Sequence, residues 1–172
     1  MVWLLILKSL YFFLPAYLAN MAPVLTKKVP FLNRPVWEKK LGKNKTWRGI
    51  IMAVLIGTVV FALQKYTYQQ GFTSLALIDY NGFSILLGAL WGGGAILGDA
   101  VESYFKRKRN IPPGERWIPW DQLDFVLGGL ILGSFMYVPA VEVVLVIVVA
   151  SPVLHIIFNH LGYYLKINPK KW

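Results

Sequence analysis

The sequence contains no cysteine and few charged residues. The absence of cysteine from all 172 residues excludes a disulfide framework, a thiolate zinc site and a cysteine nucleophile. Charged residues make up 15% of the chain, against about 25% in an average soluble protein. Hydrophobic residues make up 56%, and the mean hydropathy is +0.53. A domain of this size could not bury so much apolar surface in water, and a disordered chain would contain far less of it. The composition therefore predicts an integral membrane protein.

Long uncharged runs recur along the chain at intervals that suit membrane-spanning helices. A helix needs about 17 to 25 residues to cross a bilayer. Pro139 and Glu142 separate the last two runs, because neither residue is favoured in the middle of one long span. We therefore expect an all-α, multi-pass protein of the cell membrane with a single domain of five transmembrane helices, near residues 3–25, 49–69, 82–105, 122–139 and 141–166.

Positive charge is distributed unevenly between the predicted loops. The chain has 18 lysines and arginines against 8 acidic residues, a net charge of +10. Eight cations lie in residues 27–48, five in 106–116 and three in 166–171, whereas the loops near 70–81 and 139–142 contain none. Cationic residues collect in cytoplasmic loops. The distribution predicts two basic cytoplasmic loops, an N-terminus outside and a cytoplasmic C-terminus. It also accounts for the basic charge without a nucleic-acid partner.

Acidic residues are concentrated in one part of the chain. Five of the eight lie within Asp99–Asp124. Residues three and four apart share a helix face. One polar stripe, at the end of the third predicted helix, therefore contains Asp99, Glu102, Ser103 and Lys106, and another, at the start of the fourth, contains Asp121 and Asp124. If these helices are antiparallel neighbours, four carboxylates converge, and such a cluster repels itself unless a cation binds there. Oxygen ligands of this kind favour magnesium or calcium.

Three of these acids also have a purely structural explanation. Asp121 could be the N-cap of the fourth helix. Glu102 could pair with Lys106, one turn further on. Asp99 could be satisfied by interfacial water. We favour a functional role for Asp99 and Asp124, the most deeply embedded of the four, because intramembrane acids are costly.

The first basic loop contains a segment that suits a phosphate group. Residues 42–49 read Gly-Lys-Asn-Lys-Thr-Trp-Arg-Gly and end where the second helix is predicted to begin. Exposed amides at a helix N-terminus, beside lysine, threonine and arginine, favour an anion. The spacing is not that of a Walker A loop. The second basic loop adds the run Lys106–Arg109, which Pro112, Pro113 and Gly114 end in a turn. Cations beside a carboxylate cluster suit a metal–polyphosphate complex.

These motifs resemble the signature of membrane cytidylyltransferases, which make CDP-activated lipids from CTP and a lipid phosphate. The signature is Gly98–Arg107, then Pro113-Gly114, then Asp121–Phe125. The short archaeal branch, the CDP-archaeol synthase family, is similar in three further places: Leu14–Pro23, Lys45–Gly49, and Ser151-Pro152 with His155, Asn159 and Tyr163. The resemblance covers most of the chain.

The resemblance implies a reaction, a cofactor and a set of site residues. A phosphate oxygen of 2,3-di-O-geranylgeranylglyceryl phosphate would attack the α-phosphorus of CTP, and pyrophosphate would leave. Mg²⁺ would be bound by Asp99 and Asp124, with Glu102 and Asp121 next. The catalytic residues would be Asp99, Asp124 and Lys106, and the substrate-binding residues would be Asn44, Lys45, Thr46, Arg48, Ser103 and Arg107.

Other functions are also compatible with parts of the sequence. A small transporter or channel would use intramembrane acids and glycine-rich helices, but it would need polar residues across the whole bilayer. A scaffold that binds anionic lipids would not depend on the carboxylates. The expected partners are CTP, an isoprenoid glycerol lipid phosphate and membrane lipids. A homodimer could form through the glycine faces of the third and fourth helices.

Overall fold

A computed structural model of the chain describes residues 2–112, 115–164 and 166. Within these residues the chain forms no β-strand, and its α-helices are α1 (Val2–Phe12), α2 (Leu14–Leu25), α3 (Glu38–Leu41), α4 (Trp47–Gln69), α5 (Leu86–Lys108), α6 (Trp120–Gly133) and α7 (Val141–Tyr164). A short 3₁₀ turn, Tyr80–Gly82, precedes α5. The all-α prediction is confirmed. The turn predicted at Pro113-Gly114 and the C-terminal cations Lys170 and Lys171 lie outside the described residues.

Length and composition identify fewer membrane-spanning helices than the sequence predicted. Among the described residues the clear candidates are α4 and α7, with 23 and 24 residues. A third exists if α1 and α2, bent by 50° at their junction, form one broken span. The 14 residues of α6 reach about 21 Å at 1.5 Å per residue, less than the roughly 30 Å of hydrocarbon. Large apolar side chains on the outside of the bundle, including Val149 at 69% exposure, are typical of a lipid-facing surface.

The predicted first helix, 3–25, is divided in two by a proline. Pro15 lies in the first turn of α2 and has no N–H, so it cannot donate to the carbonyl of Tyr11 four residues earlier. The side chain of Gln64 on α4 donates to that carbonyl instead, with Nε2 2.5 Å from the oxygen. A long-range hydrogen bond therefore replaces a helical one, and the chain bends there.

The other helices differ from their predicted bounds at the ends. The predicted 49–69 begins at Trp47, and the predicted 141–166 is a helix as far as Tyr164. The predicted 82–105 becomes Leu86–Lys108, because residues 80–82 form a separate turn capped by Asp79. The predicted 122–139 becomes Trp120–Gly133. After Gly133 the chain continues in tight turns before Pro139. In these turns the N–H of Phe135 donates to the carbonyl of Leu132, and that of Met136 donates to the carbonyl of Gly133.

Helix α5 lies at the centre of the bundle, between α4 and α6. Glycines bring these backbones into direct contact: a Cβ atom on Gly57 would lie 2.5 Å from the carbonyl oxygen of Gly88, and one on Gly94 would lie 2.3 Å from that of Gly128. Helix α2 crosses α4 and α5, while α7 contacts α1 and α6. The glycine faces are therefore used inside the bundle rather than exposed for a second copy.

Aromatic side chains fill the half of the bundle that is remote from the basic loops. Phe12, Phe61, Tyr80 and Trp91 are almost completely buried. The rings of Phe12 and Trp91 meet edge to face with centroids 4.7 Å apart, and Phe61 meets Trp91 in the same way at 5.7 Å. The acidic side chains lie in the other half of the bundle, toward the C-terminal end of α5 and the N-terminal end of α6, near the loop that joins these helices.

Candidate active site

Three carboxylates meet where α5 and α6 lie side by side. Asp99 and Glu102 are one turn apart on α5, and Asp124 is on α6. One side-chain oxygen from each residue lies within 4.8 Å of the other two. We call these three residues the acidic cluster. The prediction that the two polar stripes face each other is confirmed for these residues.

Gly98 allows this convergence. A Cβ atom at position 98 would lie 2.0 Å from the backbone oxygen of Asp124, and one on Gly128 would lie 2.9 Å from the Cα of Gly98. Real Cβ atoms essentially never approach other atoms more closely than 3.0 Å. The backbone that presents Asp124 therefore rests directly on α5, at the residue next to Asp99. Any larger side chain at position 98 would separate the two carboxylates.

Lys106 connects the acidic cluster to Asp121. Its Nζ lies 3.1 Å from Oε1 of Glu102, one turn earlier, and it also donates to Oδ1 of Asp121 on α6. Glu102 and Lys106 are both nearly buried. The other oxygen of Asp121 accepts the backbone N–H of Trp117 at 2.5 Å. Asp121 thus lies beside the acidic cluster, but its two oxygens accept hydrogen bonds from Lys106 and from the loop before α6. It is in the first turn of α6, whose N-cap is Pro119.

Lys45 reaches the acidic cluster from the first basic loop. Its Nζ lies 2.5 Å from Oδ2 of Asp99, and both side chains are about one-fifth exposed. This ion pair joins the loop between α3 and α4 to the central helix. The loop, predicted from sequence alone to suit a phosphate, therefore lies directly against the acidic cluster.

Asp124 differs from its neighbours in forming no direct ion pair among the described residues. Asp99 pairs with Lys45, and Glu102 pairs with Lys106, but among the described residues Asp124 forms no ion pair. Its Oδ1 accepts the backbone N–H of Phe125 at 2.6 Å. A partly buried carboxylate without a counter-ion, next to two others, is a favourable environment for a divalent cation. The oxygen-only ligand set fits Mg²⁺ or Ca²⁺.

An open cavity lies between the first basic loop and α5. Its lining combines four of the six predicted substrate-binding residues with Lys106, with three of the four predicted metal ligands (Asp124 is not among them) and with three residues from the end of α3 and the loop after it. The lining residues are Leu41, Gly42, Lys43, Asn44, Lys45, Asp99, Glu102, Ser103, Lys106, Arg107 and Asp121. The guanidinium of Arg107 also donates to the carbonyl of Pro112 at 3.4 Å. The cavity thus brings cationic and carboxylate side chains together in one lining, as a phosphate–metal complex requires.

Two predicted substrate-binding residues lie apart from the cavity lining. Thr46 is the N-cap of α4, and its hydroxyl accepts the N–H of Gly49 at 3.2 Å. Arg48 is 5% exposed, and its guanidinium donates to the carbonyl oxygen of Val29. Both side chains therefore make contacts within the protein that shape the loop.

Sequence reasoning missed part of the lining. Gly42 and Lys43 belong to the segment 42–49 that suits a phosphate group, so their place in the loop and the charge of Lys43 were usable signals. Leu41 gave none, because it lines the cavity only through the position of α3. Gly98 is a different case. Gly94 and Gly98 are four residues apart, a spacing typical of close helix packing, but the sequence does not reveal that the contact is with the backbone of Asp124.

Comparison with known proteins identifies the family. The family model "CarS-like: CDP-archaeol synthase" matches residues 2–172. The chain belongs to the CDP-archaeol synthase family. It is therefore a membrane enzyme, a CTP-dependent cytidylyltransferase of archaeal lipid synthesis.

Individual relatives of the CDP-archaeol synthase family match the chain over nearly its whole length. The CDP-archaeol synthase of Thermofilum pendens is 35% identical over 96% of this chain and 80% of its own length. That of Pyrococcus furiosus is 33% identical over 97% of this chain and 98% of its own. A solved structure of an intramembrane enzyme for archaeal membrane lipids biosynthesis has a TM-score of 0.70 and 28% identity, and covers 90% of this chain and 94% of that one.

Proposed function

We propose that the enzyme joins CTP to the phosphate of 2,3-di-O-geranylgeranylglyceryl phosphate at the cytoplasmic face of the cell membrane, using Mg²⁺ bound by the acidic cluster. The observation that carries this proposal is the pairing of Lys45 with Asp99, which joins the phosphate-binding loop to the carboxylates. Anion-binding and cation-binding groups thereby share one cavity.

The lipid phosphate needs no general base. It is already an anion near neutral pH, so catalysis requires positioning and charge stabilisation. A phosphate oxygen of the lipid forms a bond to the α-phosphorus of CTP, the bond from that phosphorus to the bridging oxygen breaks, and pyrophosphate leaves with the electron pair. This accounts for a cavity lined by lysine, arginine and carboxylate side chains rather than by a nucleophile–base pair.

Asp99, Asp124 and Glu102 would hold the metal ion. Bound Mg²⁺ supplies Lewis-acid neutralisation of the triphosphate oxygens. Asp121 then has a supporting role, because its carboxylate orients Lys106 toward the cluster. The position of Asp124 supports this assignment, since that carboxylate forms no direct ion pair with a protein cation among the described residues.

The cations of the cavity would bind the triphosphate. Lys45, in the first loop, and Arg107, on α5, both line the cavity. Lys106 would neutralise charge developing on the leaving pyrophosphate. Asn44 and Ser103 contribute neutral hydrogen-bonding groups to the same lining.

We propose that the chain crosses the membrane five times, through the α1–α2 pair, α4, α5, α6 and α7. In this topology the N-terminus is outside and both basic loops are cytoplasmic. The adjoining ends of α5 and α6 and the loop before α4 line one cavity, which supports the placement of both basic loops on the same side. The short α6 would need a locally thinned bilayer or a contribution from residues 134–138.

The packing of the aromatic half argues against a transporter or channel. A permeation path would need polar groups through the whole bundle. Opposite the cavity, Trp91, Phe61 and Tyr80 are each at most 1% exposed. Lys65 donates to the carbonyls of Asn81 and Phe83 and so holds the outer loop over this end. The described residues of this half therefore offer no polar path that continues from the cavity.

Reconstituted protein tests the proposal directly. The protein would be incubated in lipid vesicles with the lipid phosphate and Mg²⁺, together with CTP radiolabelled at either the α- or the γ-phosphate. We expect α-label in the lipid fraction and γ-label in pyrophosphate, and neither product without the lipid phosphate or with excess chelator. Transfer of γ-label to lipid, or no transfer from either position, would contradict the proposed reaction.

A further inference from the structure

Arg48 is placed where it can control the phosphate-binding loop without touching a phosphate. It is the second residue of α4 and follows closely after Lys45. We propose that Arg48 is a positioning residue: it fixes the segment 29–36, and this segment in turn holds the backbone that presents Lys45 to the nucleotide. This inference rests on the proposed function, since it assumes that Lys45 binds the triphosphate of CTP.

The buried position of Arg48 excludes a direct contact from the cavity as it stands. The residue is 5% exposed and is not part of the cavity lining. One guanidinium nitrogen donates to the carbonyl oxygen of Val29, and Nε is also inaccessible to solvent. A phosphate in the cavity would reach neither group without a rearrangement of the loop.

Backbone hydrogen bonds connect the segment that contains Arg48 to an earlier segment of the chain. Its own N–H donates to the carbonyl of Leu32 at 3.1 Å, and the N–H of Trp47 donates to the carbonyl of Arg34 at the same distance. Pro35 and Thr46 form an antiparallel bridge. Residues 32–35 therefore run beside residues 46–48, and the Arg48 side chain fastens this pairing at Val29.

The same pairing reaches Lys45. The N–H of Val36 donates to the carbonyl oxygen of Lys45 at 2.8 Å. The backbone of Lys45 is therefore held from one side by Val36, while its side chain extends to Asp99 on α5. If the segment 29–36 loosens, the ammonium of Lys45 loses its fixed position over the acidic cluster.

An arginine suits this role better than a shorter polar residue. Its guanidinium presents several donors on a long stem and stays charged in a buried position. A cation in the first turn of α4 is unfavourable with respect to the helix dipole. The side chain turns back toward a carbonyl oxygen, which compensates for part of this cost. The arrangement thus uses the charge to order a loop that contains Lys27, Lys28 and Arg34, all exposed.

A double-mutant cycle on nucleotide affinity tests the inference. The dissociation constant for CTP would be measured for the wild type, Arg48→Ala, Lys45→Ala and the double variant, each as purified full-length protein. We expect each single change to weaken CTP binding by about tenfold, the loss of one charged contact, and the double variant to be weaker than Lys45→Ala by less than about twofold, because the two residues act as one unit. If the losses of CTP affinity in the two single variants instead multiply in the double variant, Arg48 makes a separate contact with the nucleotide and the inference is overturned. If Arg48→Ala does not assemble, the cycle is run with Arg48→Lys.

Loop mobility gives a second measurement that does not depend on nucleotide. Because the chain has no cysteine, a single Asn33→Cys carries a spin label in the segment that Arg48 fastens. We expect Arg48→Ala to narrow the lines of the label's electron paramagnetic resonance spectrum in the absence of CTP, because the segment becomes more mobile. Lys45→Ala should leave the spectrum unchanged. An unchanged spectrum in Arg48→Ala would overturn the inference. A wild type that binds no CTP, with the mobility result intact, would instead contradict the proposed function.

Discussion

Replacing Gly98 by alanine should separate the two helices that carry the acidic cluster. The added Cβ would lie 2.0 Å from the carbonyl oxygen of Asp124 and 2.8 Å from its carbonyl carbon. Since Cβ contacts below 3.0 Å are essentially not found, α6 must move away by about 1 Å. Neither partner atom can rotate aside, because both belong to the backbone.

This displacement acts on activity more than on folding. A misplacement of about 1 Å in a reacting assembly can cost on the order of 100-fold in rate, which corresponds to about 2.7 kcal/mol of transition-state stabilisation. Overpacking a helix interface typically costs about 1–3 kcal/mol of stability. We therefore expect kcat/KM of Gly98→Ala, per folded molecule, to fall by about two orders of magnitude in the CTP-to-lipid transfer assay.

Two glycines of the same helix supply matched controls. Gly93→Ala would place its Cβ 3.6 Å from a methyl group of Val54, an ordinary contact, so stability and activity should stay near wild type. Gly88→Ala would lie 2.5 Å from the carbonyl oxygen of Gly57, so it overpacks the bundle far from the cavity. It should lower thermal stability and leave kcat/KM per folded molecule nearly unchanged. Equal activity losses in Gly88→Ala and Gly98→Ala, or full activity in Gly98→Ala, would refute the reasoning.

Two further predictions concern the loop lysine and the topology. Lys45→Met should weaken CTP binding. In the absence of nucleotide it should tighten Mg²⁺ binding, because it removes the cation that competes for the Asp99 carboxylate. The gain should be about fivefold, since a partly exposed ion pair is worth up to roughly 1 kcal/mol. Titration of the metal alone measures this, and unchanged or weaker Mg²⁺ binding would contradict the competition. Single cysteines at the exposed positions Asn33 and Asn81 should react from opposite sides of the membrane. In intact cells an impermeant reagent should label Asn81→Cys and spare Asn33→Cys, and labelling of the latter from outside would reverse the orientation.

The convergence of the acids could be predicted because it depends on local periodicity. Spacings of three and four residues placed Asp99 and Glu102 on one face of α5, and Asp124 followed from the antiparallel return of the chain. The ion pair between Glu102 and Lys106 was predictable for the same reason. The contact of Lys45 with Asp99 joins residues more than fifty positions apart, so only the chemistry of the loop indicated it.

The remaining differences arise from long-range contacts that a linear pattern does not contain. The predicted first helix reads as one apolar run, and its division depends on Gln64, which satisfies the carbonyl that Pro15 leaves free. Arginine is a residue type that commonly binds phosphate, so the sequence alone suggests that role for Arg48. Whether its side chain turns outward or toward Val29 is decided by the pairing of residues 32–35 with 46–48. Sequence gives the type of each side chain but not its direction.

The central claim is that Asp99 and Asp124, on different helices, bind one metal ion that neutralises the triphosphate. CDP-lipid formation by Asp99→Asn and Asp124→Asn, measured over a range of Mg²⁺ concentrations, tests it most directly. Each change keeps size and polarity and removes only the charge, and Glu115→Gln, an exposed acid of the adjoining loop, is the matched control.

We expect both single variants to assemble normally and to lose about 100-fold or more of the activity, with partial recovery at high Mg²⁺. The double variant should be little worse than either single variant, because both changes disable one unit, and Mg²⁺ should not restore it. Glu115→Gln should keep wild-type activity. If Asp99→Asn and Asp124→Asn both retain full activity at low Mg²⁺, the carboxylates have only structural roles and the metal-dependent mechanism is contradicted.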